Sequence, residues 1–395
     1  MKLIVFSHKV CWRSSNSSIG YATNGGFVFH MQALCSSYKR VYLLVPISKN
    51  SQPHGEIIFT DPTIQIVPLS EPFGEGVLRK ILFPFWLLFH LPKFIFYILK
   101  SDIVHAPIPG DVGTIALFIA PVLRKKLFIR YCGNWYLKKT IAEKFWGWYG
   151  EIFAGGRVAY LTTGGGLNEP SLKNKHIKWI FSSSMSTAEI SSYPQKNFEL
   201  SHSLTIASGG RLNNEKGFGI LLDALALVYK KFPKVNLDIY GDGPDRKKFQ
   251  RKAEELGIIE KVNFLGNLNN VGVHQVLSRA DIFCFPTYSS EGFPKVIIEA
   301  MAHGLPVLST NVSVIPSLIA SQSIQCGKIV NTKDSEDLAN KILYYLENPE
   351  IHLEHAINAK KVASDYSLEN WVDQINTVLN SQWKTEINRK KQILK

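Results

Sequence analysis

The chain has 395 residues, 45% of them hydrophobic and 19% charged, which suits a globular protein and excludes a disordered or low-complexity one. That length predicts two domains, each large enough for its own core. The formal charge of +13 is uneven: residues 1–200 hold 22 Lys and Arg against 11 Asp and Glu, whereas residues 201–395 hold 23 against 21. The basic half is therefore expected to face something anionic, such as a membrane surface or a phosphorylated acceptor. Nucleic acid would answer the same charge, but no helix-turn-helix, zinc-finger or RNA-binding signature supports it, and none is expected as a partner.

The first half alternates apolar strands with helices. Strands are expected at 2–6, 41–45, 102–106 and 126–131, and helices near 25–37 and over 112–123. The opening Met1–Ser7 reads as a short buried strand rather than a secretory leader. Gly25 and Gly26 follow the first strand and its loop, where bare backbone would let a diphosphate or sugar approach closely. Residues 81–99 are apolar over nearly a membrane-spanning length. His90, Lys93, Pro84 and Pro92 interrupt the run, and a strand follows at once, so a pair of buried helices is expected there, with an interfacial segment as the alternative. Cys11, Cys35, Cys132, Cys284 and Cys326 are scattered without a C-x-x-C pair, which points to a reduced, cytosolic protein.

A polar link near 194–201 divides the chain into expected domains at 1–198 and 199–367. The second half repeats the α/β pattern, with strands at 203–208, 235–240, 261–264, 281–285 and 306–309. Helices are expected at 217–231, 245–256, 271–278 and 294–303, and an amphipathic one over 368–379. Gly164-Gly165-Gly166 reads as a connection rather than a phosphate loop, because no helix signal follows it.

Two segments of the second half carry chemistry. The strand Ser203–Ser208 runs into Gly209-Gly210-Arg211-Leu212-Asn213-Asn214-Glu215-Lys216-Gly217 and then a helix. Arg211 and Lys216 flank this one turn, so both cations can reach a single anion. At a helix start they oppose the helix dipole, and an anion resolves that conflict. Glu215 reads as a first-turn acid rather than a catalyst. The second segment is Ser289-Ser290-Glu291-Gly292-Phe293-Pro294-Lys295-Val296-Ile297-Ile298-Glu299. Pro294 is expected at the first helical position and Gly304-Leu305-Pro306 at the stop. That places Glu291 in the loop and Glu299 on the helix, with helix-terminal N–H groups near Phe293–Val296 able to take an anion. Glu299 has apolar neighbours, and a buried carboxylate needs donors.

Together these segments, with Tyr240-Gly241-Asp242-Gly243-Pro244 and Val262–Asn267 in order between them, resemble glycosyltransferase family 4. The resemblance is strong over 203–310 and weaker over 1–160. It implies a GT-B fold, two Rossmann-like α/β domains facing across a cleft, the first for the acceptor and the second for a nucleotide-sugar. It implies that the last helix, about 368–395, returns to the first domain. It implies a retaining transferase using a nucleotide-diphosphate sugar as donor substrate, with no separate cofactor. Arg211 and Lys216 would hold the diphosphate, Glu299 the ribose, and Glu291 the transferred sugar. Gly210, Gly292, Phe293, Pro294, Lys295, Val296 and Asn267 would line the donor site. No D-x-D pair occurs in the sequence, so no metal is expected and the cations would take its place.

Two departures from the family pattern stand out. A histidine usual in the first domain is missing from Phe128–Trp135, leaving Arg130 or Asn134 as substitutes. The usual Gly-Gly-x-x-Glu stretch is replaced by Asn311–Pro316. The expected role is polysaccharide or glycolipid assembly, with a saccharide or lipid-linked acceptor, at the cytoplasmic face of a membrane held by peripheral, electrostatic contact. A GT-B epimerase and a non-catalytic sugar-nucleotide-binding protein are the alternatives.

Overall fold

The structure is a computed structural model that describes residues 1–50, 56–74, 76–163, 165, 168–195, 203–290, 292–320, 324–385 and 387. It divides into two compact units. The first comprises Met1–Ser184 with Leu368–Lys395, the second Met185–Ser367. The division thus falls upstream of the polar link at 194–201, most of which lies outside the described residues.

The first unit begins β1 (Lys2–Phe6), β2 (Cys11–Arg13), β3 (Tyr21–Asn24), α1 (Phe27–Cys35), β4 (Arg40–Ser48), β5 (Glu56–Ile58) and β6 (Ile64–Leu69). It continues with α2 (Gly76–Leu99), β7 (Ile103–Ile108), α3 (Asp111–Val122), β8 (Lys126–Tyr131), α4 (Ile141–Phe153), β9 (Val158–Thr162) and β10 (Ile177–Trp179). Strands β10-β9-β8-β7-β1-β4-β6 form a parallel sheet in that order. A small excursion, β2-β3-β5, leaves it from the far end of β4, where Cys11 pairs with Ile47.

Alternation along β1 shows why both faces are covered. Ile4 and Phe6 join a core with Trp86, Phe94 and Ile98 of α2, Ala116 of α3 and Trp146 of α4. Leu3 and Val5 join a second core with Val28 and Met31 of α1. Successive strand side chains point to opposite faces, so a strand apolar from Leu3 to Phe6 needs helices on both sides.

α2 departs from the expected helix pair: it is one helix of 24 residues with Pro84 and Pro92 inside it. Each proline removes one hydrogen bond but need not end a helix whose neighbours hold it. Trp86, His90, Phe94 and Ile98, spaced four apart, are buried as one stripe, and the Trp86 indole donates to the Ser70 hydroxyl at 2.9 Å.

In the second unit the order is α5 (Thr187–Ser192), β11 (Leu204–Gly209), α6 (Phe218–Lys231), β12 (Val235–Tyr240), α7 (Arg246–Glu255), β13 (Val262–Gly266) and α8 (Asn270–Arg279). Then come β14 (Ile282–Phe285), α9 (Lys295–Ala302), β15 (Val307–Thr310), α10 (Ile315–Ile319), β16 (Gly327–Val330), α11 (Ser335–Glu347) and α12 (Pro349–Asp365). The sheet is wholly parallel, β13-β12-β11-β14-β15-β16. The order therefore reverses between β11 and β14, the place where ligands bind in doubly wound sheets.

The last helix, α13 (Leu368–Trp383), belongs to the first unit. Trp371, Val372, Ile375 and Leu379 enter the α1 core, and the Asn376 amide donates to the Ser37 hydroxyl at 2.9 Å. The Trp371 ring packs edge-on against His30 at 4.9 Å, and the Arg130 guanidinium lies over it at 5.1 Å. Trp371→Ala is expected to destabilise the first unit by about 3–5 kcal/mol, as for other large core truncations. Denaturant unfolding followed by hydrogen exchange should show the first unit's protection falling while that of β11–β14 holds. An equal fall in both would refute the assignment of α13 to one unit.

Candidate functional site

At the β11/β14 reversal two loops leave neighbouring strands. The loop after β11 carries Gly210 and Arg211, then a short 3-10 turn over Asn214–Lys216, then α6. The loop after β14 leads through Gly292, Phe293 and Pro294 into α9. One backbone atom ties them: the Glu215 carbonyl accepts from the Tyr288 N–H at 3.0 Å and from the Thr287 hydroxyl at 3.1 Å. Gly217, at φ +79°, lets them meet, because a Cβ there would fall 2.0 Å from the Pro286 carbonyl oxygen.

Beside this junction lies a cavity of about 470 Å³. Its wall brings together Gly210, Arg211, Asn267, Val296 and Glu299 with Tyr240, Gly241, Asp242, Leu268 and Val273. Five residues singled out from sequence therefore share one wall. Lys216 is not part of that wall; its ammonium sits over the Phe285 ring at 5.7 Å, at the same strand-end edge. Gly292 and Phe293 lie in the loop leading in, and the Phe293 ring packs against Tyr366 at 5.3 Å, so the backbone is what this residue offers. Pro294 is the N-cap of α9, one residue earlier than expected, and Lys295 opens the helix. Proline has no side-chain acceptor to cap the first N–H groups, and the helix start suits an anion. Glu291 lies outside the described residues.

Glu299 is the deep acid. Burial raises its pKa first, Lys295 one turn earlier opposes that, and Glu189 adds to it. Its surroundings come from four elements and escaped the sequence reading. Tyr193 follows α5, stacks on His303 at 3.9 Å, and its hydroxyl meets Glu189 Oε1 and His274 Nδ1, each at 3.2 Å. His274 Nδ1 lies 2.9 Å from His303 Nε2, and burial lowers the His274 pKa. The Tyr240 hydroxyl is buried and has no hydrogen-bond partner among the described residues. No local pattern marks this group; it exists only once α5, α8 and α9 are packed.

The first unit has its own reversal, between β1 and β7. His8 and Lys9 leave β1, and Gly110 and Asp111 leave β7. The loops touch: a Cβ on Gly110 would lie 2.1 Å from His8 Nδ1. Loss of hydration lowers the His8 pKa, Asp111 opposes this, and Lys9 and Arg79 add to it. The Lys9 ammonium meets Asn24 Oδ1 at 2.5 Å. Gly25 follows at φ +71°, with nothing within 4 Å of where a Cβ would stand, and Gly26 is the N-cap of α1. The signal for His8 and Lys9 was their place directly after an apolar strand. The substitutes for the missing histidine are both engaged. Asn134 Oδ1 accepts from the Tyr136 and Leu137 N–H groups, and Arg130 covers Trp371.

Residues 190–362 match the family Glycosyl transferases group 1. An uncharacterized glycosyltransferase of Haemophilus influenzae is 31% identical over 176 residues, 44% of this chain and 48% of that protein. A phosphatidyl-myo-inositol mannosyltransferase of Mycobacterium leprae is 32% identical over 133 residues, 34% of each chain. The chain thus spans half or less of the length of these relatives. The crystal structure of Anabaena HepE in complex with UDP and glucose aligns with a TM-score of 0.67 at 18% identity, covering 96% of this chain and all of that one. The family resemblance and the GT-B fold class read from the sequence are both borne out.

The raised pKa of Glu299 has a consequence for stability. Between the unfolded value near 4.5 and the higher folded value, the folded state holds the extra proton. Stability should therefore fall as pH rises through that window and stay lower above it. Glu299→Gln is expected to be more stable than the parent at pH 7 and indistinguishable from it below pH 4.5. Denaturant midpoints at both pH values check this. A variant less stable at pH 7 would show that the ionised carboxylate is favourably paired.

Proposed function

We propose that this chain, whose residues 190–362 match Glycosyl transferases group 1, moves a sugar from a nucleotide-diphosphate sugar to an acceptor hydroxyl with retention of configuration. The observation that carries the reading is the cavity wall that joins Arg211, Val296 and Glu299. Its volume is in the range of small-ligand sites. The UDP present in the HepE complex is the kind of ligand such a wall suits. Arg211, Lys216 and the N-terminus of α9 bind the diphosphate and stabilise the charge that builds on it as it leaves. Glu299 accepts hydrogen bonds from the ribose hydroxyls. Gly210 and Asn267 border the nucleotide, and Glu291 faces the transferred sugar by the family resemblance.

In this reaction the bond from the anomeric carbon to the diphosphate oxygen breaks and a bond to the acceptor oxygen forms on the same face. The acceptor proton passes to the departing diphosphate, so no protein nucleophile takes part. The cations stand where a metal would otherwise serve, and chelation with EDTA is expected to leave turnover unchanged. The first unit, with His8, Lys9, Gly25 and Gly26 near its reversal, takes the acceptor in polysaccharide or glycolipid assembly.

Arg211→Ala and Lys216→Ala are each expected to lower turnover by roughly 10²–10³, as on losing one charge-stabilising group. Release of free nucleotide diphosphate with and without acceptor measures it. Near-normal rates in both variants would remove the diphosphate assignment, and release that ignores acceptor would favour an epimerase or hydrolytic reading.

Calorimetry with the free nucleotide diphosphate separates the two acids. Glu299→Ala is expected to weaken binding, whereas Glu291→Ala should bind normally and turn over slowly. The reverse pattern would exchange their roles. Retention is read from the anomeric coupling of the product by NMR.

A further inference from the structure

Among the described residues, α2 is the one helix long and apolar enough to cross a membrane. It does not cross one, because its Trp86–Ile98 stripe is core to the sheet and Ile103 of β7 follows within four residues. Its other side is the anomaly. Ile81, Phe85, Leu88 and Phe89 are 61–74% exposed. The neighbouring helices extend the same surface: Phe118 of α3 is 56% exposed and Ile141 of α4 is 87% exposed. α3 and α4 are joined by Phe118 stacked on Phe145 at 5.8 Å and by the Trp146 indole donating to Thr114 at 2.9 Å, and α2 is joined to α3 by the Arg79–Asp111 ion pair. Between them runs a groove of about 830 Å³, with Leu87 and Leu91 on one wall and Ile115 and Phe145 on the other. A continuous apolar surface of this kind marks an interaction site on a soluble protein.

Charge identifies the occupant. The acids beside the groove on these helices are Asp111 and Glu143. Asp111 is paired with Arg79 at 2.8 Å, and Glu143 is held by the Thr140 and Lys139 N–H groups. Lys80 borders the groove, and Lys139 and Lys144 flank the exposed Ile141; all three lysines are exposed. A second copy of the chain would bring these lysines against like charge in a two-fold contact. An anionic bilayer offers hydrocarbon to the helices and phosphate to the lysines.

We propose that the α2–α3–α4 face lies in the surface of an anionic bilayer, with one lipid hydrocarbon chain in the groove. This changes the expected mode of attachment. A purely electrostatic contact is released by salt, whereas burial of Phe85, Leu88 and Phe89 in hydrocarbon is not.

The test uses the full chain with vesicles of phosphatidylglycerol or phosphatidylcholine, sedimented at 0.1 and 1 M salt. The parent is expected to bind phosphatidylglycerol vesicles and to remain largely bound at 1 M salt. Phe85→Ser/Leu88→Ser/Phe89→Ser should lower the bound fraction at least tenfold, and Lys80→Glu/Lys139→Glu/Lys144→Glu should remove the preference for phosphatidylglycerol. Circular dichroism and nucleotide-diphosphate affinity should match the parent in both variants. Affinity read this way also separates failure here from failure of the transferase reading, which would show as no nucleotide binding in the parent itself. Three results would overturn the proposal: no vesicle binding by the parent, complete release by 1 M salt, or undiminished binding of the serine variant. Sedimentation velocity showing a dimer that the serine variant disperses, without vesicle binding, would assign the face to a second copy instead.

Discussion

The pairing of β11 beside β14 is the constraint on which the second unit's chemistry depends. The chain leaves β11 to build β12 and β13 on one side and returns to build β14 on the other. The loops after β11 and β14 therefore part at one point, and the crevice between them is a consequence of strand order. Two short-range features fix how wide it is. The Glu215 carbonyl holds the β14 loop through Tyr288 and Thr287. Gly217 removes the side chain that would otherwise strike the Pro286 carbonyl. The backbone thus positions the turn that carries Arg211 and Lys216 beside the start of α9.

The first unit repeats the topology with different chemistry. Its reversal places His8 and Lys9 against Gly110 and Asp111, and its cavity-forming helices carry aromatic and aliphatic surface instead of paired charge. Residues 1–200 hold twice as many cations as anions, while the second half is nearly balanced. The same doubly wound plan therefore supplies two unlike surfaces, one specific and polar in the second unit, one broad and apolar with a basic border in the first. Fold alone would not distinguish them; the residues at strand ends and on α2 do.

How far the sequence is legible depends on whether a signal is local. In the second half, strands predicted at 203–208, 235–240 and 281–285 fall within one residue of β11, β12 and β14. Glycine, proline and charge punctuate those strand ends, which makes the motifs readable. Pro294 was placed one residue too far into its helix, a boundary error that leaves α9 and Glu299 where expected. The helix pair at 81–99 failed for a physical reason: prolines read as breaks, but the four-residue spacing of Trp86, His90, Phe94 and Ile98 shows that a single buried stripe outweighs two lost hydrogen bonds. The β2-β3-β5 excursion was not foreseen, because strands of three or four residues leave little periodicity to read. The Tyr193, His274 and His303 group has no sequence signature, since tertiary packing alone assembles it.

The electrostatics of the cavity narrow its ligand further than its shape does. At one end Arg211 and the start of α9 favour negative charge. Along the wall, burial raises the pKa of Glu299, so its ionised form requires hydrogen-bond donors and its neutral form gives up charge. Inorganic phosphate answers the first demand and leaves the second unmet, because it brings no hydroxyl donor to the Glu299 end of the wall. A neutral sugar answers the second and leaves the cations and helix dipole unmatched. A ligand with a diphosphate at one end and a vicinal diol one sugar away meets both, and it lowers the Glu299 pKa as it binds. Binding should therefore release a proton near the folded pKa of Glu299. That coupling distinguishes a ligand carrying a diol from inorganic phosphate without reference to any relative.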